Sequence, residues 1–189
     1  VPGTRGAQQK FNVPKELAKE LTLLCLEENC TLFMVLMAAY KVLLYRYSGQ
    51  EDICVGSPVA NRGHQELEGL IGFFANTLVL RDQVKGENSF KKLLSQVKGT
   101  TMEAYSQQDV PFEKVVEAVS RERDLSRSPL FQVMLVLQNA QEGVALQLGE
   151  LQVSEVEIPS DTSKFELTFA ISETSNGLDG SIEYNTDLF

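Results

Sequence analysis

Residues 71–81 read Ile71-Gly72-Phe73-Phe74-Ala75-Asn76-Thr77-Leu78-Val79-Leu80-Arg81, a punctuated stretch that passes into an apolar run. Gly72 allows close backbone approach. Asn76 is suited to end a helix before a strand from Thr77 to Arg81 begins. Upstream, a short helix is predicted from about Glu66 to Phe74. It follows the loop Asn61-Arg62-Gly63-His64 and a buried strand, Ile53 to Val59, that closes at Ser57-Pro58. Downstream, Ser89 to Ser106 carries Phe90, Leu93, Leu94, Val97 and Met102 at helical spacing, and a further helical piece follows Pro111. Residues 71–81 are thus the centre of an alternation of strands and helices.

The flanks extend the pattern. After an extended start through Phe11, Pro14 opens a helix with Leu17, Leu21, Leu24 and Cys25 on one face, broken near Asn29. Thr31 caps a second helix, Leu32 to Tyr47. It is nearly apolar enough for a membrane span but short and interrupted by Lys41 and Arg46, so it reads as a core helix. Strands are predicted at Phe131 to Leu137, Leu148 to Ile158, Phe165 to Glu173 and Leu178 to Tyr184. Between the last two, Asn176-Gly177 offers the positive backbone angles of a tight hairpin. Early alternation followed by a run of strands implies an α/β fold, a mixed sheet with helices mainly on one face, in a single unit.

Composition agrees. The 189 residues are 43% hydrophobic and 23% charged, which excludes a disordered tail. The 17 basic and 26 acidic residues give a net charge of −9, so neither nucleic acid nor a membrane is expected as a partner. Cys25, Cys30 and Cys54 show no metal-ligand or disulfide pattern and are expected to be reduced, buried and cytoplasmic. The chain does not begin with methionine, lacks a signal pattern at Val1–Val13 and ends directly after a strand-like run, so it reads as excised from something longer.

Few residues advertise chemistry. The single histidine, His64, sits in a polar loop without an orienting partner and reads as solvated. Ser89-Phe90-Lys91-Lys92 and Ser95-Gln96-Val97-Lys98 have the Ser-x-x-Lys form, but the companion motifs are missing and both fit the solvent face of a helix. Glu66 with Glu68, and Asp109 with Glu113, are explained as caps and solvated faces rather than acid/base pairs. No metal-ligand set is apparent. Two segments besides 71–81 are harder to explain as ordinary core, although each taken singly has an adequate structural reading. In Gln107-Gln108-Asp109-Val110-Pro111-Phe112-Glu113, Asp109 is expected to cap a helix, Pro111 to fit its first turn and Glu113 to complement its dipole. In Arg123-Asp124-Leu125-Ser126-Arg127-Ser128-Pro129-Leu130, the Arg127 fork is suited to tying carboxylates or carbonyls together.

With these three segments the sequence resembles the condensation domain of nonribosomal peptide synthetases. They look like that family's fifth, sixth and seventh core motifs, carried by Gly72, Phe74, Asn76, Thr77 and Arg81, by Gln108, Asp109, Pro111, Phe112 and Glu113, and by Arg123, Asp124, Ser126, Arg127, Pro129 and Leu130. Val55 to Arg62, Tyr45 to Gln50 and Glu183 to Asp187 resemble the family too, while Ser128 and Ala75 stand where asparagine and valine are frequent. The family's His-His-x-x-x-Asp-Gly motif is missing, and so are its closing helices. The resemblance therefore implies residues 1–189 as the C-terminal lobe of a two-lobed, chloramphenicol acetyltransferase-like α/β sandwich.

By that resemblance the intact domain joins an acyl or peptidyl thioester to the amine of an aminoacyl thioester. Phosphopantetheine is carried by the partner carrier domains, and no cofactor is bound directly. The implied partners are the N-terminal lobe, peptidyl carrier domains and an adjacent adenylation domain. No catalytic residue is expected in this chain. Ser57 is expected to line the substrate channel. Asn76, Asp109 and Arg127 are expected to hold architecture. The alternatives are a carrier-binding or scaffold module, or the matching lobe of a heterocyclisation or epimerisation domain. If Arg127 is architectural, Arg127→Ala lowers the melting temperature before it lowers substrate affinity; unchanged melting with abolished binding would contradict that assignment.

Overall fold

The computed structural model describes residues 3–62, 65–120, 127–138 and 161–189. Strand β1 (Gly6–Pro14) runs into helix α1 (Lys15–Glu27), with Pro14 at the junction, where a fixed φ suits helix entry. Asn29 takes φ 48° at the break. Thr31 accepts the Met34 N–H and opens α2 (Leu32–Ser48), which ends at Gly49 with φ 69°. Strand β2 (Asp52–Val59) leads to a single helical turn, α3 (Gln65–Glu68), and then to β3 (Asn76–Gln83). Ser89 accepts the Lys92 N–H at 3.3 Å and caps α4 (Phe90–Ser106), so its hydroxyl serves the helix end. Next come α5 (Phe112–Val119), β4 (Val133–Gln138), β5 (Leu167–Thr174) and β6 (Gly177–Asn185). The strand expected at Leu148 to Ile158 lies outside the described residues.

Two local expectations are corrected. The helix predicted from Glu66 to Phe74 stops at Glu68. The Arg62 guanidinium accounts for this: it donates to the carbonyls of Leu67 and Leu70 (2.8 Å), which a continuing helix would bond internally, and to that of Gly72 (3.3 Å). In the last hairpin only Gly177 takes a positive φ, 127°, and Asn176 does not. The connection is Ser175-Asn176, closed by pairing of Thr174 with Gly177. A Cβ at Gly177 would lie 2.2 Å from the Val13 carbonyl oxygen, so position 177 is closed to side chains on space as well as on angle.

The strands form one sheet in the order β1-β6-β5-β4-β2-β3. β1/β6, β5/β6 and β2/β3 are antiparallel, whereas β4 runs parallel to both β2 and β5. The mixed sheet agrees with the expected architecture. On one face, Val13, Leu178, Ile171, Leu135, Val55 and Leu80 form the core with α1, α2 and α4. The other face carries α5, whose Phe112 ring lies 5.7 Å from that of the buried Phe131. Gly56 makes room for it, since a Cβ there would sit 2.3 Å from the Phe131 ring.

The core contains a charged pair, Lys41 and Asp82, that the hydropathy pattern does not explain away. Lys41 on α2 is fully buried and donates to Asp82 and, at 2.9 Å, to the Leu80 carbonyl. Gln96 (3.0 Å) and Thr100 (2.7 Å) on α4 donate to the other Asp82 oxygen. Burial pushes the Lys41 ammonium below its ordinary range, opposed by the Asp82 carboxylate. No single described helix is long and apolar enough to cross a membrane. α1 and α2 pass that test only as a pair bent by 105°, and α2 buries its apolar surface in the core.

Removing one member of such a pair strands the other in an apolar interior. Asp82→Ala should therefore cost about 3–5 kcal/mol, and the double change Lys41→Met with Asp82→Leu should cost much less. Urea unfolding of the three proteins checks this, and equal losses for the single and double variants would contradict it.

Candidate functional site

Asn76 joins two of the three segments singled out in the sequence. Its Nδ2 donates to the carbonyls of Gln108 (2.7 Å) and Val110 (2.8 Å). Its Oδ1 accepts the N–H of its neighbour Thr77 (2.9 Å) and of Phe112 (3.1 Å). The Phe112 N–H belongs to the first turn of α5, where no intrahelical acceptor exists, so a side chain from β3 supplies one. This corrects the reading of Asp109 as the cap. Pro111 occupies the cap position of α5 with no side-chain bond, and Asp109 is exposed. Glu113 lies in the first turn as expected, on an exposed position.

Arg62 holds the segment that precedes Asn76. Besides its three carbonyl contacts, its guanidinium lies 4.5 Å over the Phe74 ring. Phe74 is thereby turned inward and half-buried, whereas Ile71 and Phe73 are fully exposed on either side of Gly72.

The third segment borders a cavity of about 1110 Å³. β2 and β4 are registered only at Val55–Val133 and Gly56–Met134. Arg127 and Leu130 line the cavity with Leu43 and Tyr47 of α2, Val115 and Val119 of α5, and Leu167 and Phe169 of β5. Charge is confined to Asp52, Arg81, Arg127 and Glu166. Arg81 donates to Asp52 through Nε (2.8 Å) and Nη2 (2.6 Å). This fork holds the Asp52 carboxyl below the usual carboxylate range and raises the already high Arg81 pKa. The pair is well exposed, so it orients side chains more than it stabilises the fold. Leu130 takes φ 69°, a left-handed angle that costs a bulky residue on the order of 1–3 kcal/mol. The Pro129 carbonyl accepts the Phe131 N–H at 2.9 Å, tightening the turn into β4.

Ser57 is buried (4% exposed) near the end of β2, on the strand face it shares with Val55, and lines neither this cavity nor the second one. That second cavity, about 810 Å³, lies over β1, β6, β5 and the end of β4 and is edged by Gln8, Asn12, Gln138, Ser172 and Ser181. Arg123, Asp124, Ser126 and His64 lie outside the described residues. Among the described residues no His, Cys, Asp and Glu cluster is arranged to hold a metal. The three cysteines are free, but only Cys25 is buried; Cys30 and Cys54 are half-buried, correcting the expectation for them. Burial pushes the Cys25 and Cys54 thiols up, away from thiolate chemistry.

Sequence reading missed the Arg62 clamp and the Asp52–Arg81 fork as interactions. Arg62 drew notice only as part of a polar loop and of a family-like stretch; its partners lie 5, 8 and 10 residues further on, whereas the partner of Arg81 is set by the β2–β3 pairing. For Lys41 the signal was present, a lysine interrupting an apolar helix.

The comparisons with known proteins give one answer. The chain is 53% identical over 186 residues to a component of linear gramicidin synthase from Brevibacillus parabrevis, and 41% identical over 184 residues to gramicidin S synthase 2 of Aneurinibacillus migulanus. Each alignment takes in 97% of this chain but only 4% of the relative. Among solved structures, the X-domain from teicoplanin biosynthesis superposes on the whole chain with a TM-score of 0.91 at 25% identity, the chain spanning 44% of it. The four-domain nonribosomal peptide synthetase AB3403, bound to AMP and glycine, matches 99% of the chain with a TM-score of 0.85 at 25% identity, the chain covering 15% of it. The family model for the condensation domain matches residues 2–189, and the chain belongs to that family.

Proposed function

We propose that this chain is the C-terminal lobe of a peptide-bond-forming condensation domain and is inactive alone. The observation that carries the reading is a match to the family along residues 2–189 by a chain that fills only 44% of a solved domain of the same fold and holds a single histidine. The His-His-x-x-x-Asp-Gly motif that the resemblance implies is assigned to the N-terminal lobe. The reaction joins two carrier-bound substrates: the amine nitrogen of an aminoacyl thioester attacks the carbonyl carbon of an acyl or peptidyl thioester. The new C–N bond forms as the C–S bond breaks. The nitrogen gives up one proton, and the sulfur leaves as the free phosphopantetheine thiol of the donor carrier. Such a step depends on positioning and on support for the developing oxyanion.

Within this scheme the present residues build one wall. Asn76 ties β3 to α5, Arg62 fixes residues 67–74, and Arg127 borders the larger cavity. Ser57 is assigned to the substrate channel through its hydroxyl; it lines neither of the two cavities described above, and the facing wall of the channel is assigned to the N-terminal lobe. Phosphopantetheine enters on peptidyl carrier domains, with an adenylation domain adjacent, in a cytoplasmic assembly.

Two measurements test this reading. The purified chain, given both thioester substrates, should form no peptide, and adding the N-terminal lobe in trans should restore product; peptide formation by the chain alone contradicts the half-site. Asn76→Ala removes four hydrogen bonds, each worth about 0.5–1.5 kcal/mol net, and should destabilise the fold by about 2–4 kcal/mol. Chemical denaturation reads that loss, and full stability would contradict the architectural role.

A further inference from the structure

The turn that ends α1 puts two cysteines together. The Cys30 N–H reaches back to the Cys25 carbonyl at 2.9 Å, and the Asn29 N–H to the Leu26 carbonyl at 3.3 Å. With Asn29 left-handed at φ 48°, this is the doubly bonded helix end that brings the side chains of its first and last residues, here Cys25 and Cys30, into contact. Such a contact is ordinarily made by two apolar side chains. Here both are thiols, hydrogen-bonded to each other. The bond between the two main chains also keeps their Cα atoms within the roughly 4.4–6.8 Å that a disulfide spans.

The two thiols differ in access. Cys25 is buried in the core, whereas Cys30 is half-buried between the exposed Asn29 and Thr31. Burial, and after it the neighbouring Cys30 thiol, push the Cys25 thiol up. Cys25 is therefore not the thiol that meets an oxidant first. The turn between them is anchored on both sides: Lys91 of α4 pairs with Glu28 at 2.5 Å, and both cysteines pack into the core that α1 and α2 share. The sulfurs are thus held together by the fold.

We propose that Cys25 and Cys30 are a redox-active pair, converted to a reversible disulfide by a low-molecular-weight disulfide. In the first step the Cys30 thiolate attacks one sulfur of the small disulfide; a mixed disulfide forms on Cys30 and one small thiol leaves. In the second, the Cys25 sulfur attacks Cys30 Sγ, and its proton goes with the second small thiol. Two protein thiols are oxidised to one disulfide while one small disulfide is reduced to two thiols, and an excess of small thiol runs the sequence backwards. Proximity makes up for the small thiolate fraction of Cys25, because the second attack is intramolecular. In a reducing compartment such a bond is transient and reports redox state. The pair is independent of the lobe assignment and of peptide-bond formation.

The test equilibrates the protein, at its full natural length, in mixtures of bis(2-hydroxyethyl) disulfide and 2-mercaptoethanol. Both reagents are uncharged, so Glu27 and Glu28 beside the pair do not repel them. Free thiols are then trapped with N-ethylmaleimide under denaturing acid conditions. Trypsin, cutting after Lys19 and Lys41, leaves both cysteines on the peptide 20–41 and Cys54 on 47–62. Mass spectrometry should find peptide 20–41 unalkylated and lighter by the two thiol hydrogens, returning to the doubly alkylated form in excess 2-mercaptoethanol. The equilibrium constant for this bond should be at least about tenfold greater in the folded protein than in guanidinium. By linkage the bond then favours the folded state by the same factor. Double alkylation in the most oxidising mixture, a bond from either cysteine to Cys54 or to another chain, or equal constants folded and unfolded overturns the proposal. In Cys25→Ala the small thiol should stay attached to Cys30, and in Cys30→Ala Cys25 should remain alkylated. Faster modification of Cys25 than of Cys30 overturns the order of the two steps.

Discussion

The buried pair of Lys41 and Asp82 is the constraint on which the helical layer is hung. A charge in a dry interior is tolerated only where its hydrogen-bonding capacity is met. Here Lys41 of α2 meets Asp82 and the Leu80 carbonyl of β3, while Gln96 and Thr100 of α4 fill the remaining carboxylate oxygen. Three elements are therefore held in one relative position. Apolar packing around Met37, Val55, Leu80 and Val97 would by itself accept a shift of a turn or a rotation. The charged network does not, because a displaced α2 would leave the ammonium without a partner.

Asn76 performs a comparable task on the edge strand with neutral groups. It stands at the first residue of β3 and closes the entry to α5 from outside that helix. Two stretches about thirty residues apart become one unit, and the exposed segment before Asn76 is braced in turn by Arg62. The arrangement explains how the segment from Leu67 to Asn76 is held with little regular structure between β2 and β3. Carbonyls freed where α3 stops are bonded by a guanidinium instead of by a longer helix.

For function, the distribution of polar groups matters more than any single residue. The described residues offer arginines, amides and hydroxyls that position, without a base beside a nucleophile. Groups of this kind orient what they touch and carry its charge without exchanging protons near neutrality. The strained Leu130 and the Asp52–Arg81 fork at the larger cavity are set by the turn into β4 and by the β2–β3 register.

Much of the fold was legible in the chain because local chemistry is legible. Pro14, Thr31, Gly49 and Ser89 stand at helix ends, and apolar periodicity marked α1, α2, α4 and the strands of the sheet. Long motifs in family order were enough to identify the condensation family. What could not be read was which side chain meets which backbone or charged group once the chain has folded. Asp109 looked like the cap of α5 because it lies nearby in sequence, yet Asn76 reaches the helix end through the pairing of β3 into the sheet. Residues 66–74 looked helical because periodicity does not reveal that Arg62 will take their carbonyls. Lys41 was visible as an interruption, but only the packing of α2 and α4 against β3 shows that it is buried and neutralised. Sequence determines which segments become helix or strand, since that depends on neighbours a few residues away. Tertiary structure decides which side chain satisfies which buried or terminal group, since that depends on where strands far apart in the chain are brought side by side.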